Sequence, residues 1–264
     1  MRTHALVLVA VVCPMLVACG KKEDKPSLAA PAATLAESKV APEVKATHYL
    51  VDASGTTSIA MPAPKENIKA KTTAAAGTVD VDLANLANLR GSVKIDLATL
   101  TTFTFGDKEK DEAQTAHART WLEAVVEGKV QEEGRFATFA IRSVDGLDAP
   151  SAAKIAATQE NGEDVRAVKL TVHGELLVHG RKSAKDVRVA MKLHYPAGAP
   201  ADSAPTRIDI KTVEPFTVVL AEHDVKPRDT FGKVAQGSFH LLGTKVADTA
   251  SVSIDLTASK AGAS

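Results

Sequence analysis

Between residues 47 and 260, apolar and polar side chains alternate one by one over many short stretches, and this period of two restricts the fold more than any other feature. Val79, Val81 and Leu83 alternate with Asp80 and Asp82, and Val93, Ile95 and Leu97 with Ser92, Lys94 and Asp96. Val187, Val189, Met191 and Leu193 interleave with Asp186, Arg188, Ala190 and Lys192, and Val252, Ile254 and Leu256 with Ser251, Ser253 and Asp255. Ile208/Ile210, Phe216/Val218/Leu220 and Phe239/Leu241 repeat the pattern. A strand sends successive side chains to opposite faces, so each stretch reads as a strand with one dry and one wet face. Breakers separate them: Gly91, the proline-bearing stretch 196–205, and Gly232, Gly237 and Gly243. Eight to ten such strands cannot make a parallel sheet buried on both faces; they fit an antiparallel barrel or sandwich.

One segment departs from the period. Over 111–127, Ala118, Trp121, Leu122 and Val125 fall at i, i+3, i+4 and i+7, with acids at the start and Gly128 after the end. That spacing predicts one amphipathic helix of about four turns. Trp121, the single tryptophan, sits on its apolar stripe as a packing anchor. The small, polar stretches 148–166 and 196–205 read as surface loops.

The amino terminus reads as an address. Met1-Arg2-Thr3-His4 precedes a short apolar run that ends Leu16-Val17-Ala18-Cys19-Gly20. A basic start, an apolar core shorter than the roughly 20 residues of a membrane span and small residues before a cut describe an export signal over 1–18. The Leu-Val-Ala-Cys ending resembles the bacterial lipobox, which implies cleavage before Cys19 and its lipidation; the alternative is a plain secretory signal cut elsewhere. Cys13 and Cys19 are the two cysteines, so the body has no disulfide and no thiolate metal site. Gly20 and Lys21 stand where an Asp would resemble an inner-membrane retention signal, so the expected location is the cell envelope, anchored to the outer membrane and facing the periplasm. Residues 19–46, with Pro26, Pro31 and Pro42 among Lys, Glu and Ala, read as a semi-extended tether, and 47–260 as the folded domain.

Candidate chemistry fails on spacing. His173, Glu175 and His179 share a parity that points away from the apolar face of Leu170, Val172, Leu176 and Val178. At about 3.3 Å per residue the two histidines would be roughly 20 Å apart on a strand, too far for one ion. Glu222-His223-Asp224 has the composition of a triad, but neighbours on one extended strand do not converge, and no G-x-S-x-G elbow supplies a nucleophile. Asp80 and Asp82 lack the glycine turn of a calcium loop. With 32 basic against 32 acidic residues, the chain lacks the concentrated basic surface of a nucleic-acid coat. The expectation is a protein with no catalytic residues, no metal and no cofactor.

From His48 to about Ala258 the order of features resembles the YceI-like family of lipocalin-like barrels, which includes polyisoprenoid-binding periplasmic proteins. The carrying residues are Tyr49-Leu50-Val51-Asp52, Gly77-Thr78-Val79-Asp80-Val81-Asp82, Val93-Lys94-Ile95-Asp96-Leu97, Thr115-Ala116-His117-Ala118-Arg119-Thr120-Trp121-Leu122, Ala137-Thr138-Phe139-Ala140-Ile141 and Val172-His173-Gly174-Glu175-Leu176-Leu177-Val178-His179-Gly180. Ser58-Ile59-Ala60-Met61-Pro62-Ala63-Pro64 departs from it, where the family usually carries an aromatic and a histidine.

The resemblance implies a mainly β, antiparallel lipocalin-like barrel with one helix, holding a long-chain lipid or isoprenoid with its polar head near the rim. Few rings occur among the apolar-parity residues, and a lumen of small aliphatics leaves room for a ligand, though a well-packed core of small residues is the other reading. The expected liners are Val81, Val93, Ile95, Val172, Leu176, Val189, Met191, Ile208 and Ile254. The alternative function is a non-enzymatic envelope scaffold with a solid barrel core and a protein partner.

Overall fold

The computed structural model describes residues 45–62, 67–200, 202–225 and 248–262. The leader, Cys19, almost all of the tether, Ala63 and Pro64, Phe239 and Leu241, and Gly232, Gly237 and Gly243 lie outside the described residues. Where the alternation is read, strands form. β1 (Thr47–Val51) and β2 (Thr56–Pro62) run up one side, β3 (Asn67–Thr72) and β4 (Ala75–Val81) return, and β5 (Arg90–Asp96) and β6 (Thr101–Thr102) rise again. Next come α1 (Lys108–Trp121), the small hairpin of β7 (Val125–Val126) and β8 (Lys129–Val130), and the descending β9 (Phe136–Asp145). Two long strands, β11 (Glu163–Val178) and β12 (Arg181–Pro196), form the central hairpin, preceded by β10 (Ala157–Glu160). β13 (Arg207–Thr212), β14 (Phe216–Val219) and β15 (Thr249–Lys260) complete the set.

Antiparallel pairing runs β1–β4–β5–β9–β11–β12–β13–β15, and β15 returns to β1 through Leu50↔Ser259 and Val51↔Ala258. The circuit of hydrogen bonds therefore closes, and the fold is an antiparallel β-barrel with one helix. Toward the other end β15 leaves β1 and pairs with β2 on one side, from Asp255↔Thr56 to Ser251↔Ala60, and with β14 on its other side. The wall continues from β2 to β3 to β6. Beyond β6 lies α1, fixed there by Thr102 N–H donating to Thr115 Oγ1 at 2.9 Å and Arg119 Nε donating to the Leu100 carbonyl at 2.8 Å. The helix takes the place a strand would hold in the wall.

The inward parity carries the core. On β3 the residues alternate exposed and buried without exception, and on β11 the buried residues include Val168, Leu170, Val172, Leu176 and Val178. The lower end is packed shut. Tyr49, Val81, Leu86, Leu193, Tyr195 and Ile208 are fully buried there. Asp82 organises the turn beneath it, its carboxylate accepting from the Ala84 and Asn85 amides and from Asn88 Nδ2. Leu86 N–H donates to the Pro150 carbonyl and Ala152 N–H to that of Leu83, so two connections lock together as a floor.

Three sequence expectations are corrected. The helix begins at Lys108, with Asp107 as its side-chain cap, and ends at Trp121; Glu123 turns the chain at a φ of 52°. Gly128 does not terminate the helix but sits at φ 76° in the β7–β8 turn, a left-handed conformation that glycine adopts without penalty. The stretch 148–166 is structured, with β10 paired to β11 and Ala149, Ala152 and Ile155 buried against the floor. Among the described residues no helix is long and apolar enough to cross a membrane.

Gly174 faces inward at a register shift between β9 and β11. A Cβ there would lie 2.3 Å from Phe139 Cζ, so the missing side chain makes room for the phenyl ring inside the barrel. Gly174→Ala is expected to destabilise by about 1–3 kcal/mol through overpacking, with part of the loss recovered in the double variant Gly174→Ala/Phe139→Leu. Urea unfolding of the two variants against the parent checks this.

Candidate functional site

Above the floor the inward residues no longer fill the bore. Ala70, Ala118, Ala137 and Ala250 stand among larger apolar liners, from valines to Phe139, Phe216 and Trp121, and these side chains leave a space between them. A cavity of about 180 Å³ remains. At water's share of about 30 Å³ in the liquid, that is the volume of roughly six waters. The barrel core is therefore not solid in its upper half. Most strands of the wall contribute, among them β2 with Ile59 and Met61, β4 with Val79, β5 with Val93 and Ile95, β9 with Phe139 and Ile141, β11 with Val172, Leu176 and Val178, β12 with Val187 and Val189, and β15 with Val252 and Ile254. From the helix side come Ala118, Trp121 and Leu122. Among the described liners, Thr57, His223 and the indole of Trp121 bring the polar atoms.

Of the nine expected liners, Val93, Ile95, Val172, Leu176, Val189 and Ile254 face this cavity. Val81, Met191 and Ile208 share their parity but lie at the packed lower end, 0%, 1% and 0% exposed, where Tyr49 and Tyr195 fill the bore. Parity identifies the inward face but not the depth at which the barrel is full. Thr57, Phe139, His223 and the helical liners were not among the expected residues. The i, i+3, i+4 stripe of Ala118, Trp121 and Leu122 was a signal for the helical ones; His223 and Thr57 had none in the period.

Among the described residues, three ion pairs stand at the wide end. Lys185 pairs with Glu222 at 2.9 Å, Arg181 with Asp224 at 3.2 Å, and His179 with Glu123. His179 Nδ1–H donates to the His223 carbonyl at 3.1 Å. The imidazole of His223 is fully buried, its Nδ1–H donating to the Arg181 carbonyl at 3.0 Å and its Nε2 accepting from Ser183 Oγ at 2.9 Å. Glu222, His223 and Asp224 thus engage separate partners and form no triad. His179 departs from expectation: it is not on the wet face of a strand but in the β11–β12 turn, at φ 50° and folded over the cavity end. His173 lies between Asp145 and Asp186 on the outer face, and Glu175 pairs with Arg142. Among the described residues no group of three or more His, Cys, Asp or Glu side chains is placed to hold a metal ion.

The chain matches no family model and no curated protein. Solved structures are similar to it. One is a polyisoprenoid-binding domain from Saccharophagus degradans implicated in plant cell wall breakdown, 13% identical, with a TM-score of 0.48 over 82% of this chain and 99% of that one. Another is BcnA of Burkholderia cenocepacia, 16% identical, with a TM-score of 0.46 over 78% of this chain and 98% of that one.

Burial holds His223 below its ordinary value of 6.5, against the opposing effect of the Arg181 carbonyl. Unfolding frees the ring to take a proton near that value, so its contribution to stability is lost as pH falls through about 6.5. His173 acts in the opposite sense. Asp186 and then Asp145 raise it, so its contribution is present at lower pH and lost as pH rises past its folded value. Glu222, lowered by Lys185, matters only in more acidic solution. Between about pH 7 and about pH 5.5, His223→Gln is expected to reduce the acid-side loss of stability, and His173→Gln to increase it. Urea midpoints across that interval read both slopes.

Proposed function

We propose that this barrel carries one long-chain isoprenoid, or a comparable amphiphile, in its upper bore. The observation that supports the reading is the cavity itself, about 180 Å³ inside the barrel and walled almost wholly by apolar side chains. Such a site binds by removing a chain from water at about 25 cal/mol per Å² of apolar area, and its lining selects for length and shape over charge. An isoprenoid is the class that the sequence resemblance implies. The function is carriage and not chemistry. His223 directs its Nδ1 proton to backbone carbonyls, so that no carboxylate orients the ring behind Ser183. In this reading the barrel hangs from the outer membrane by lipidated Cys19 and the tether, within reach of membrane lipids.

Native mass spectrometry of the protein carrying Cys19→Ser is expected to show one lipid per chain, or uptake of one polyprenyl molecule. A spectrum of bare protein that takes up no polyprenyl compound overturns the reading. Val172→Phe, which fills the bore, is expected to weaken uptake about tenfold or more while the protein stays folded. For the anchor, expression of the full chain with Cys19→Ser is expected to move the protein from the membrane fraction to the soluble envelope fraction; retention in the membrane would remove the anchoring part of the proposal.

A further inference from the structure

Thr57 is a polar interruption in the apolar wall. It is 5% exposed, lines the cavity, and its Oγ1 has no hydrogen-bond partner. Its backbone is held on both sides, paired with Thr72 on β3 and with Ile254 on β15, so the residue's place in the wall is fixed by two ladders. It also lies deep. Ile59 and Met61, the next inward residues of β2, line the cavity on the way to the wide end. Just below Thr57, a Cβ at Gly55 would stand 2.5 Å from the Leu256 side chain, so the wall is tightly packed at that point.

A hydroxyl offers one proton and accepts through two lone pairs, and leaving it buried without a partner is costly. A pure hydrocarbon in the bore would leave that cost in place. An ionised head would bring a charge to a wall whose described side chains include no cation, while Lys185, Arg181 and His179 at the wide end are already paired with Glu222, Asp224 and Glu123. His223 has both ring nitrogens engaged by its own surroundings. Resting on the carrier reading above, we infer that Thr57 is the polar recognition point of the cavity. Its ligand is an uncharged long-chain lipid with an oxygen function, an alcohol or a carbonyl, which enters head first and hydrogen-bonds to Thr57 Oγ1. The polar end then lies toward the floor and the chain runs out toward the wide end, the reverse of a head held at the rim.

The test uses Trp121, the single tryptophan and a cavity liner, as a fluorescent reporter in the full chain. Farnesol, farnesene and farnesyl diphosphate, one skeleton with a hydroxyl, no oxygen and an ionised head, are titrated into the parent, Thr57→Val and Thr57→Ser. The expected result is that the preference for farnesol over farnesene falls about tenfold in Thr57→Val and returns in Thr57→Ser, and that the diphosphate binds the parent more weakly than farnesol. A preference unmoved by Thr57→Val, or tightest binding by the diphosphate, overturns the inference and leaves the carrier reading standing. Failure of the parent to bind either farnesol or farnesene overturns both. A measurement on the parent alone guards against a poorly folded variant. The carbonyl stretch of bound farnesal is expected at lower frequency than in a hydrocarbon solvent, and an unshifted band counts against the hydrogen bond.

Discussion

The last strand must satisfy two partners in succession, and the architecture depends on it. β15 pairs with β1 over its final residues and with β2 over its earlier ones, while β13 and β14 occupy its other side. Pairing with β1 closes the lower part of the sheet into a ring, so that no free edge remains at that level. Once the ring is closed, one parity of every strand has nowhere to point but inward. The interior is thus decided by which side chains that parity carries at each level.

Two levels differ. At the lower level Tyr49 and Tyr195 reach into the bore, both fully buried, with Leu86 and Leu193 around them. Burial penalises the phenolates so strongly that Tyr195 is pushed up to about 12, a sign of how dry this end is. At the upper level the inward side chains, from alanines and valines to Phe139 and Phe216, leave a space between them, and α1 stands in the wall past β6, bringing Ala118, Trp121 and Leu122 inward at helical spacing. Tyr49 and Tyr195 at one end make a floor, and at the other the side chains leave a hollow. Rigidity and capacity come from the same alternation, filled differently.

This explains which parts were legible in the sequence. The strands from Val79 to Val81, from Val187 to Leu193 and from Val252 to Leu256 were readable because period two is imposed residue by residue. The cavity was only partly readable, because Val189 and Met191 look alike along the chain and differ in what faces them across the barrel. Met191 meets a packed level and Val189 an open one. His179 misled for a related reason: its parity assigned it to the outer face, but the strand ends at Val178 and the turn swings its ring over the cavity end. The helix boundary moved because Asp107 caps it with its side chain, an acid that composition alone does not separate from Glu109 or Asp111.

The wide end joins elements remote in sequence at one imidazole. His179 contacts Glu123, which follows α1, and the carbonyl of His223, on the turn after β14. Each of these segments also supplies a liner, Leu122, Val178 and His223 itself. Glu123, His179 and Asp224 all adopt left-handed backbone conformations that non-glycine residues seldom take, and their side chains hold the three segments together through ion pairs and a hydrogen bond. Glu123, His179, Arg181 and Asp224 are thereby committed to holding this end together. On the carrier proposal, such a wall would distinguish ligands by the length of chain it covers and by one neutral hydrogen bond at Thr57, because the described charges at this end, Lys185, Arg181 and His179, are paired with Glu222, Asp224 and Glu123.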